Sequence, residues 1–196
     1  MLRQATFIVF EGLDGSGKST CAAGLAARLN ATLLTTPSPD VRRYRDNLVR
    51  SLGPSQEAHQ LFYLATVFAA SVAVSELLRE GRSVVLDRYF LSTQAYAAFR
   101  GSRLAVDDVQ ALLLPAHATV YMDVPRETRV ARLSQRGATA ADLETITPEA
   151  DARLRQAHFS RAHLAVVGRF VRMDGADGSP EVVVARTADA LAAELA

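Results

Sequence analysis

The chain has 196 residues, 49% of them hydrophobic, and its 22 Lys and Arg residues nearly balance 21 Asp and Glu residues. This length and composition suit a single folded domain over residues 1–196 and exclude a disordered chain. The net charge of +1 argues against binding to nucleic acid or to a membrane surface. The single cysteine, Cys21, excludes an internal disulfide framework and a cysteine-based zinc site, so we expect a cytoplasmic protein.

Apolar, strand-like runs alternate with helical patterns along the chain. Strands are predicted at residues 5–10, 31–35, 83–86, 118–122 and 170–173. Helices are predicted at residues 18–29, 41–52, 56–80, 91–99, 107–114, 125–136, 147–167 and 180–195, with a loop rich in small residues at 137–147. Thr147 before Pro148 is typical of a helix N-cap. The alternation predicts an α/β fold in which helices cover a largely parallel sheet.

The predicted helix at 56–80 contains an apolar stretch, Leu61–Leu78, that is nearly long enough to span a bilayer. The stretch includes Thr66, Ser71 and Glu76, and elements of soluble type flank it. We therefore predict a buried helix, with a subunit interface as one place for it, and not a membrane span.

Residues 12–19 read Gly-Leu-Asp-Gly-Ser-Gly-Lys-Ser and match the pattern G-x-x-x-x-G-K-[ST] between a predicted strand and a predicted helix. In such a loop, glycines let backbone N–H groups converge on phosphate oxygens, and the helix directs its positive end at the same anion. Lys18, the only lysine of the chain, would reach the β- and γ-phosphates, and the Ser19 hydroxyl would bind Mg²⁺. The motif predicts binding of a nucleoside triphosphate.

A second group of polar residues, Asp87-Arg88-Tyr89, follows the apolar strand at 83–86. Because the carboxyl ends of parallel strands face the ligand crevice, Asp87 can reach the Mg²⁺ region or the attacking oxygen of an acceptor. Arg88 can bind phosphates and spread the charge of the transition state. Glu11 and Asp14 add carboxylates near the same crevice, although a structural hydrogen-bonding role for Glu11 is equally open.

These motifs together resemble the thymidylate kinase family. The likeness lies in residues 10–20, in residues 87–96 and, less specifically, in residues 120–137, so it covers most of the chain in order. The resemblance implies a P-loop kinase fold, with a five-stranded parallel sheet flanked by helices and a short lid at about 136–147. It also implies a homodimer joined through the 56–80 helix.

The resemblance implies a role for individual residues. ATP with Mg²⁺ would bind at Gly12, Asp14, Gly15, Ser16, Gly17, Lys18, Ser19, Thr20 and Arg132, with Ser19 and Asp87 at the metal. Catalysis would rest on Lys18, Asp87, Arg88 and Arg136. The acceptor would contact Glu11, Asp14, Pro37, Phe62 or Tyr63, Thr66, Arg88 and Tyr96, and the segment 174–180 would border the adenine.

The departures from the family pattern fall on the acceptor side and in the lid. The family reads thymine with an arginine on the long helix, but no Lys or Arg occurs between Ser51 and Leu78, and Thr66 or Val67 takes its place. The loop at 35–40 lacks the arginine that holds the acceptor phosphate; Arg42, Arg43 and Arg45 either replace it or form a solvated helix face. In the lid, the family's Asp-Arg-x-Glu stretch reads Ala-Asp-Leu-Glu at 141–144, which leaves Arg136 as the candidate lid arginine.

Two interpretations of these departures stay open. The chain is either a dTMP kinase with displaced contacts, or a related kinase whose acceptor is a different small molecule, such as a nucleoside, a sugar-like compound or a phosphonate. A third possibility is an ATP-binding module without kinase activity, but the intact Asp87-Arg88 pair weighs against it. We predict an ATP-dependent kinase that phosphorylates a nucleoside monophosphate, dTMP or a related compound.

Overall fold

The centre of the fold is a five-stranded sheet in which all strands are parallel. The computed structural model describes residues 5–195, apart from the side chains of residues 140 and 141. The strands are β1 (Phe7–Gly12), β2 (Thr32–Thr35), β3 (Val84–Asp87), β4 (Ala118–Asp123) and β5 (Arg169–Asp174). Their spatial order is β2-β3-β1-β4-β5. The predicted five-stranded parallel sheet flanked by helices is therefore confirmed.

Helices cover both faces of the sheet. They are α1 (Lys18–Leu29), α2 (Pro39–Ser51), α3 (Gln56–Arg79), α4 (Phe90–Phe99), α5 (Arg126–Arg136), α6 (Ala140–Leu143), α7 (Pro148–Phe159) and α8 (Pro180–Glu194). Side chains alternate along β1: Ile8 and Phe10 pack with α1 and α8, whereas Phe7 and Val9 pack with α3 and α4. Because both faces of this strand are buried, its sequence is continuously apolar up to Glu11.

Three predicted segments differ from the structure. Residues 107–114 contain only a short 3₁₀-helix, Asp107–Leu112, and the predicted loop at 137–147 contains the short helix α6. The helix predicted for 147–167 is capped by Thr147 as expected, since its Oγ1 accepts a hydrogen bond from the Ala150 N–H at 3.2 Å. It ends at Phe159, however, because the chain then turns to bury Val166 and Val167 in the core before β5 begins.

Helix α3 is only partly buried. Its buried residues form one stripe, Gln60, Leu64, Val67, Ser71 and Val74. On another face, Leu61 and Val72 are 52% and 61% exposed. Within residues 5–195 this is the single helix long and apolar enough to cross a membrane, and 22% of its most apolar window is buried. Only one stripe packs on the sheet side, so the predicted burial of the whole helix is not reached within one chain, and a subunit interface stays the predicted place for the rest.

Candidate active site

The phosphate loop, residues 12–19, joins the carboxyl end of β1 to the first turn of α1. Gly15 and Gly17 have φ values of +80° and +84°, a left-handed conformation that glycine adopts at little steric cost. The Ser16 hydroxyl inside this loop is buried and has no hydrogen-bond partner in the described part of the chain. An unpaired hydroxyl at the N-terminus of a helix fits a phosphate oxygen.

Lys18 lies in the interior of the loop and is 5% exposed. Its ammonium group donates to the Leu13 carbonyl oxygen at 3.2 Å and lies 3.6 Å from Asp14 Oδ1. Burial, together with the nearby Arg88 guanidinium, lowers the pKa of Lys18 to about 8. A poorly solvated ammonium of this kind gains more free energy from an incoming phosphate than an exposed one does.

Ser19 and Asp87 provide the oxygen atoms expected for magnesium. Ser19 Oγ donates to Asp87 Oδ2 at 2.5 Å, and Asp87 Oδ1 is buried without a hydrogen-bond partner in the described chain. Residues 5–195 hold no group of three or more His, Cys, Asp or Glu side chains arranged to bind a metal. The two side chains thus fit a Mg²⁺ ion whose remaining ligands are phosphate oxygens and water.

Arg88, Asp14 and Tyr96 form a connected cluster beside the loop. Arg88 pairs with Asp14 Oδ1, and the Tyr96 hydroxyl donates to Asp14 Oδ2 at 2.7 Å. Burial opposes ionisation of Asp14, but Arg88 and Lys18 outweigh it and hold the pKa of the carboxyl well below its usual range. The cluster is therefore fixed in its charged form.

The backbone of Arg88 has a φ of +70°, which is uncommon for a residue with a side chain. Its N–H donates to the Phe10 carbonyl oxygen at 2.9 Å, which ties the end of β3 to β1. The guanidinium also donates to Ser92 Oγ at 3.3 Å. A strained backbone of this kind is typical of functional positions, where the surrounding contacts hold it in place.

Glu11, near the end of β1, holds the start of α4 beside this cluster. It is fully buried, and its carboxylate accepts hydrogen bonds from the N–H groups of Tyr89 at 2.9 Å and Ser92 at 3.2 Å, and from the Ser92 hydroxyl. Its negative charge thus stabilises the N-terminus of α4, while burial raises the pKa of the carboxyl. These hydrogen bonds fit the structural alternative for Glu11, which lines neither of the two cavities described next; its contact with the acceptor stays a prediction.

Two cavities meet at the phosphate loop. The first, of about 350 Å³, lies between the loop and α8, and its lining includes Thr20, Arg132, Arg136, Gly175 and Pro180. The second, of about 650 Å³, is bounded by α2, α3, α4 and the segment after α5. The first cavity contains the residues predicted at the adenine and donor phosphates, so we name it the donor cavity; the second is named the acceptor cavity.

The acceptor cavity contains most of the residues predicted for the acceptor, namely Asp14, Pro37, Tyr63, Arg88 and Tyr96. Of the two candidate aromatic residues, Tyr63 lines the cavity, whereas Phe62 does not. Thr66 does not line it either, and its hydroxyl donates to the Tyr63 carbonyl oxygen at 2.7 Å. The rotation of α3 therefore places Tyr63 at the cavity and leaves Phe62 and Thr66 outside its lining.

The acceptor cavity is lined by six cationic side chains and three carboxylates, and two carboxylates outside the lining, Asp46 and Glu144, pair with Arg45 and Arg100. Arg42 and Arg45 come from α2, a helix without a fully buried residue. Arg42 Nη2 donates to Thr35 Oγ1 at 2.9 Å and to the Pro37 carbonyl oxygen at 3.3 Å, so it lies against the loop that lacks its own arginine. Arg42 and Arg43 are both exposed, but Arg43, unlike Arg42 and Arg45, does not line the cavity.

Arg136 lines both cavities and so lies between the donor and the acceptor. Its Nη2 donates to Asp142 Oδ1 at 2.7 Å. Asp142 is 4% exposed and also accepts hydrogen bonds from the N–H and hydroxyl of Thr139. The charge of the candidate lid arginine is thus balanced by a carboxylate from the lid itself.

Sequence reasoning missed Arg100 and Arg129. Arg100 lines the acceptor cavity, 5.9 Å from the centre of the Tyr96 ring and 3.5 Å from Glu144. Arg129 contacts the phosphate loop from α5. Helical spacing could have indicated both residues. Arg100 follows Tyr96 by four residues and Arg129 precedes Arg136 by seven, so each arginine shares a helix face with a predicted site residue.

Comparisons with known proteins point to one family. The family model described as thymidylate kinase matches residues 10–171. A thymidylate kinase from Pseudomonas fluorescens (strain Pf-5) is 34% identical over 210 residues, covering 96% of this chain and 95% of that protein. Two solved structures share the fold. One is a thymidylate kinase from Ehrlichia chaffeensis, with a TM-score of 0.71 and 22% identity over 95% of this chain and 98% of that chain. The other is a thymidylate kinase from Candida albicans, with a TM-score of 0.74 and 20% identity over 97% of this chain and 92% of that chain.

Proposed function

The chain belongs to the thymidylate kinase family, and from this premise we propose that it transfers the γ-phosphoryl group of ATP to the phosphate of dTMP. It is an ATP-dependent nucleoside monophosphate kinase. The observation that carries the choice of acceptor is the cationic cavity beside the phosphate loop. Five arginines line it besides Lys18, and one of them, Arg42, forms no ion pair within residues 5–195, which favours a small-molecule acceptor that already bears a phosphate; a nucleoside or sugar-like acceptor has no anion to match it.

Arg42 and Arg45 take the place of the missing loop arginine. Both project from the first turns of α2 into the cavity, and the contacts of Arg42 with Thr35 and Pro37 hold its guanidinium beside the loop. A planar guanidinium binds two phosphate oxygens at once, so this position suits the acceptor phosphate. The departure of the loop from the family pattern is therefore a displaced contact.

The nucleobase end of the cavity is lined by neutral groups from α3. Tyr63 offers a ring on which a pyrimidine can stack. The Gln60 amide is held by Gln94 at 2.7 Å and by the Ser102 hydroxyl at 2.5 Å, which leaves one acceptor position on its oxygen. Without a charged donor, discrimination between bases should weaken by roughly 1–3 kcal/mol relative to a site with a base-reading arginine.

Phosphoryl transfer needs alignment of the two substrates and neutralisation of charge more than covalent chemistry. Lys18 and the loop N–H groups bind the donor phosphates, and Arg88 lies between the loop and the acceptor cavity, in reach of both substrates. Asp14 orients Arg88 and Tyr96 through its two carboxylate oxygens. Mg²⁺ held by Ser19 and Asp87 would supply further charge neutralisation on the donor phosphates.

The segment 136–147 is proposed to act as the lid. Arg136 reaches both cavities while Asp142 balances its charge, so binding of the donor phosphates offers it a second anionic partner. Closure of this segment would exclude water and limit hydrolysis of ATP.

The half-exposed helix α3 is proposed to form a homodimer interface. Leu61, Ala65, Phe68 and Val72 repeat at helical spacing on one face; Leu61 and Val72 are exposed large apolar side chains, and Phe68 packs partly against the core. A subunit interface explains this face better than a membrane, because the neighbouring buried stripe carries Gln60 and Ser71 in hydrogen bonds with the rest of the fold. The near-neutral charge gives no support to nucleic-acid binding, and the single Cys21 suits a reducing cytoplasm.

A coupled ADP-release assay with ATP and Mg²⁺ tests the proposal. The acceptors are dTMP, dUMP, the other common nucleoside monophosphates, thymidine and a set of hydroxylated metabolites, and Lys18→Ala is the control for contaminating kinases. We expect turnover of dTMP at about 1–100 s⁻¹ and none of thymidine. Activity on thymidine, or on hydroxylated metabolites with silence on dTMP, would contradict the proposed acceptor.

A further inference from the structure

Helix α5 packs directly against the outside of the phosphate loop. A Cβ atom on Gly15 would lie 2.8 Å from the Arg129 carbonyl oxygen and 2.9 Å from Leu133 Cγ, closer than Cβ atoms approach other atoms in proteins. Arg132 adds a contact, since its Nη1 donates to the Ser16 carbonyl oxygen at 3.5 Å. The loop is therefore braced on the side that faces away from the acceptor cavity.

Arg129 is the most unusual residue of this contact, because its charged side chain is completely buried. Its Nη2 donates to Asp151 Oδ1 at 2.5 Å, which compensates the buried charge. Its Nη1 donates to the Asp14 backbone carbonyl oxygen at 2.8 Å. One guanidinium thus joins α5, α7 and the phosphate loop.

The bond to the Asp14 carbonyl has a consequence for the next residue. The Asp14 C=O and the Gly15 N–H belong to one planar trans peptide, so they point in opposite directions. With the C=O turned outward to Arg129, the Gly15 N–H is turned toward the interior of the loop, where Gly15 and Ser16 line the donor cavity. Gly15, with its φ of +80°, offers little steric resistance to rotation of this peptide, so an external contact is needed to fix it.

We propose that Arg129 is a positioning residue of the kinase reaction, which holds the Asp14–Gly15 peptide so that the Gly15 N–H faces the donor phosphates. The inference rests on the proposed function in so far as the loop binds the phosphates of ATP. It assigns to α5 a role in preparing the donor site, separate from the contribution of Arg132 and Arg136 on the same helix.

The test compares Arg129→Met with Arg155→Met by calorimetric titration with a non-hydrolysable ATP analogue and Mg²⁺. Arg155 is a matched control, since it forms ion pairs with Asp123 and Asp151 and, within the described chain, makes no hydrogen bond to the loop. We expect Arg129→Met to raise the Kd of the analogue about tenfold and Arg155→Met to leave it within about twofold, while both lower the Tm. In kinetics, Arg129→Met raises KM for ATP and leaves KM for the acceptor unchanged, since the Asp14 side chain keeps its own partners.

A second variant covers the case in which Arg129→Met does not fold. Arg129→Lys keeps the charge beside Asp151, but a compact ammonium lacks the planar fork that bonds Asp151 and the Asp14 carbonyl together. We expect it to retain a Tm close to that of the unaltered chain and to raise the Kd at least about threefold. If a folded Arg129→Lys or Arg129→Met protein binds the analogue with the Kd of the unaltered chain, the inference about Arg129 is overturned and the proposed function is unaffected. Absence of binding by the unaltered chain would overturn the proposed function and the inference with it.

Discussion

The donor and acceptor halves of the active site are built in different ways. The phosphate loop is one continuous segment, residues 12–19. The groups that it offers to a phosphate are backbone N–H groups, one lysine and two serine hydroxyls. The acceptor cavity is assembled from side chains on α2, α3, α4 and the lid, which are far apart along the chain. The first half therefore depends on local backbone conformation, and the second on how separate helices pack.

This difference predicts different responses to substitution. A change in the loop alters the binding of the phosphates shared by every nucleoside triphosphate, and it should reduce turnover whatever the acceptor. A change in the wall of the acceptor cavity should alter KM for one substrate and leave the other unaffected. Arg88 lies where the two halves meet, so a substitution there should affect the use of both substrates together.

Arg88→Ala is expected to have the largest effect. It removes the guanidinium that lies between the two substrates, and kcat should fall about 10³-fold or more because charge in the transition state is no longer neutralised. The coupled ADP-release assay measures the loss, with Arg79→Ala, an exposed change on α3, as the control. A folded Arg88→Ala enzyme that keeps a tenth or more of the activity would show that the halves do not meet at this residue.

Arg42→Ala should separate the halves. Loss of a charged contact to the acceptor phosphate is worth roughly 1.5–3 kcal/mol, so KM for dTMP should rise about 10-fold to 100-fold. KM for ATP should stay within about twofold. Arg43→Ala on the same helix is the matched control, because Arg43 is exposed and does not line the cavity. Equal effects of the two variants would assign the result to the general charge of α2.

The pH dependence of ATP binding should report on Lys18. Burial and Arg88 lower the pKa of Lys18 to about 8 in the free protein, and phosphate oxygens would raise it again by stabilising the ammonium form. The Kd of a non-hydrolysable ATP analogue should therefore be insensitive to pH below about 8 and weaken up to about tenfold per pH unit above it.

The control for this profile is Lys18→Met, which should bind the analogue more weakly and lose the slope at high pH. Titration of the unaltered chain up to about pH 9.5 covers the window in which the free and bound pKa values of Lys18 differ. A flat profile for the unaltered chain would mean that phosphate binding does not involve the ammonium.

Tyr63→Leu should give the smallest effect. Leucine retains apolar area but not the aromatic ring, and such a loss is worth about 0.5–1.5 kcal/mol, which corresponds to a rise of about 3-fold to 10-fold in KM for dTMP. Phe62→Leu should leave this KM unchanged, since Phe62 does not line the cavity. The reverse order of the two variants would indicate that α3 is rotated when the acceptor is bound.

The sequence predicts the donor half as one segment, and the structure folds this segment as a loop between β1 and α1. A glycine-rich loop between a strand and a helix carries its phosphate-binding groups in consecutive residues. The sequence alone therefore predicts phosphate-binding roles for Gly15, Ser16 and Lys18. The closeness of Asp14 and Arg88 is likewise predictable. Both follow the carboxyl ends of strands, and in a parallel sheet these ends lie at one edge.

The acceptor half was less accessible because it depends on the rotation of helices. Neighbouring residues on α3 differ by about 100° in direction, so the sequence alone left Phe62 and Tyr63 as alternatives, and tertiary packing selects Tyr63. The contacts of Arg42 likewise depend on where α2 begins and how it lies over the Thr35–Pro37 loop. The sequence leaves two roles open for Glu11, because a carboxylate beside a site can either accept structural hydrogen bonds or contact the substrate. Its burial becomes visible only in the structure.

The exposure of α2 bears on how this enzyme can change during evolution. Since α2 has no fully buried residue, substitutions on it should alter the free energy of unfolding by only about 0.5 kcal/mol. The same helix supplies Arg42 and Arg45 to the acceptor cavity. New acceptor preferences are therefore accessible through mutations that leave foldability intact, whereas the donor half, embedded between β1, α1 and α5, is constrained to the nucleotide that it already binds.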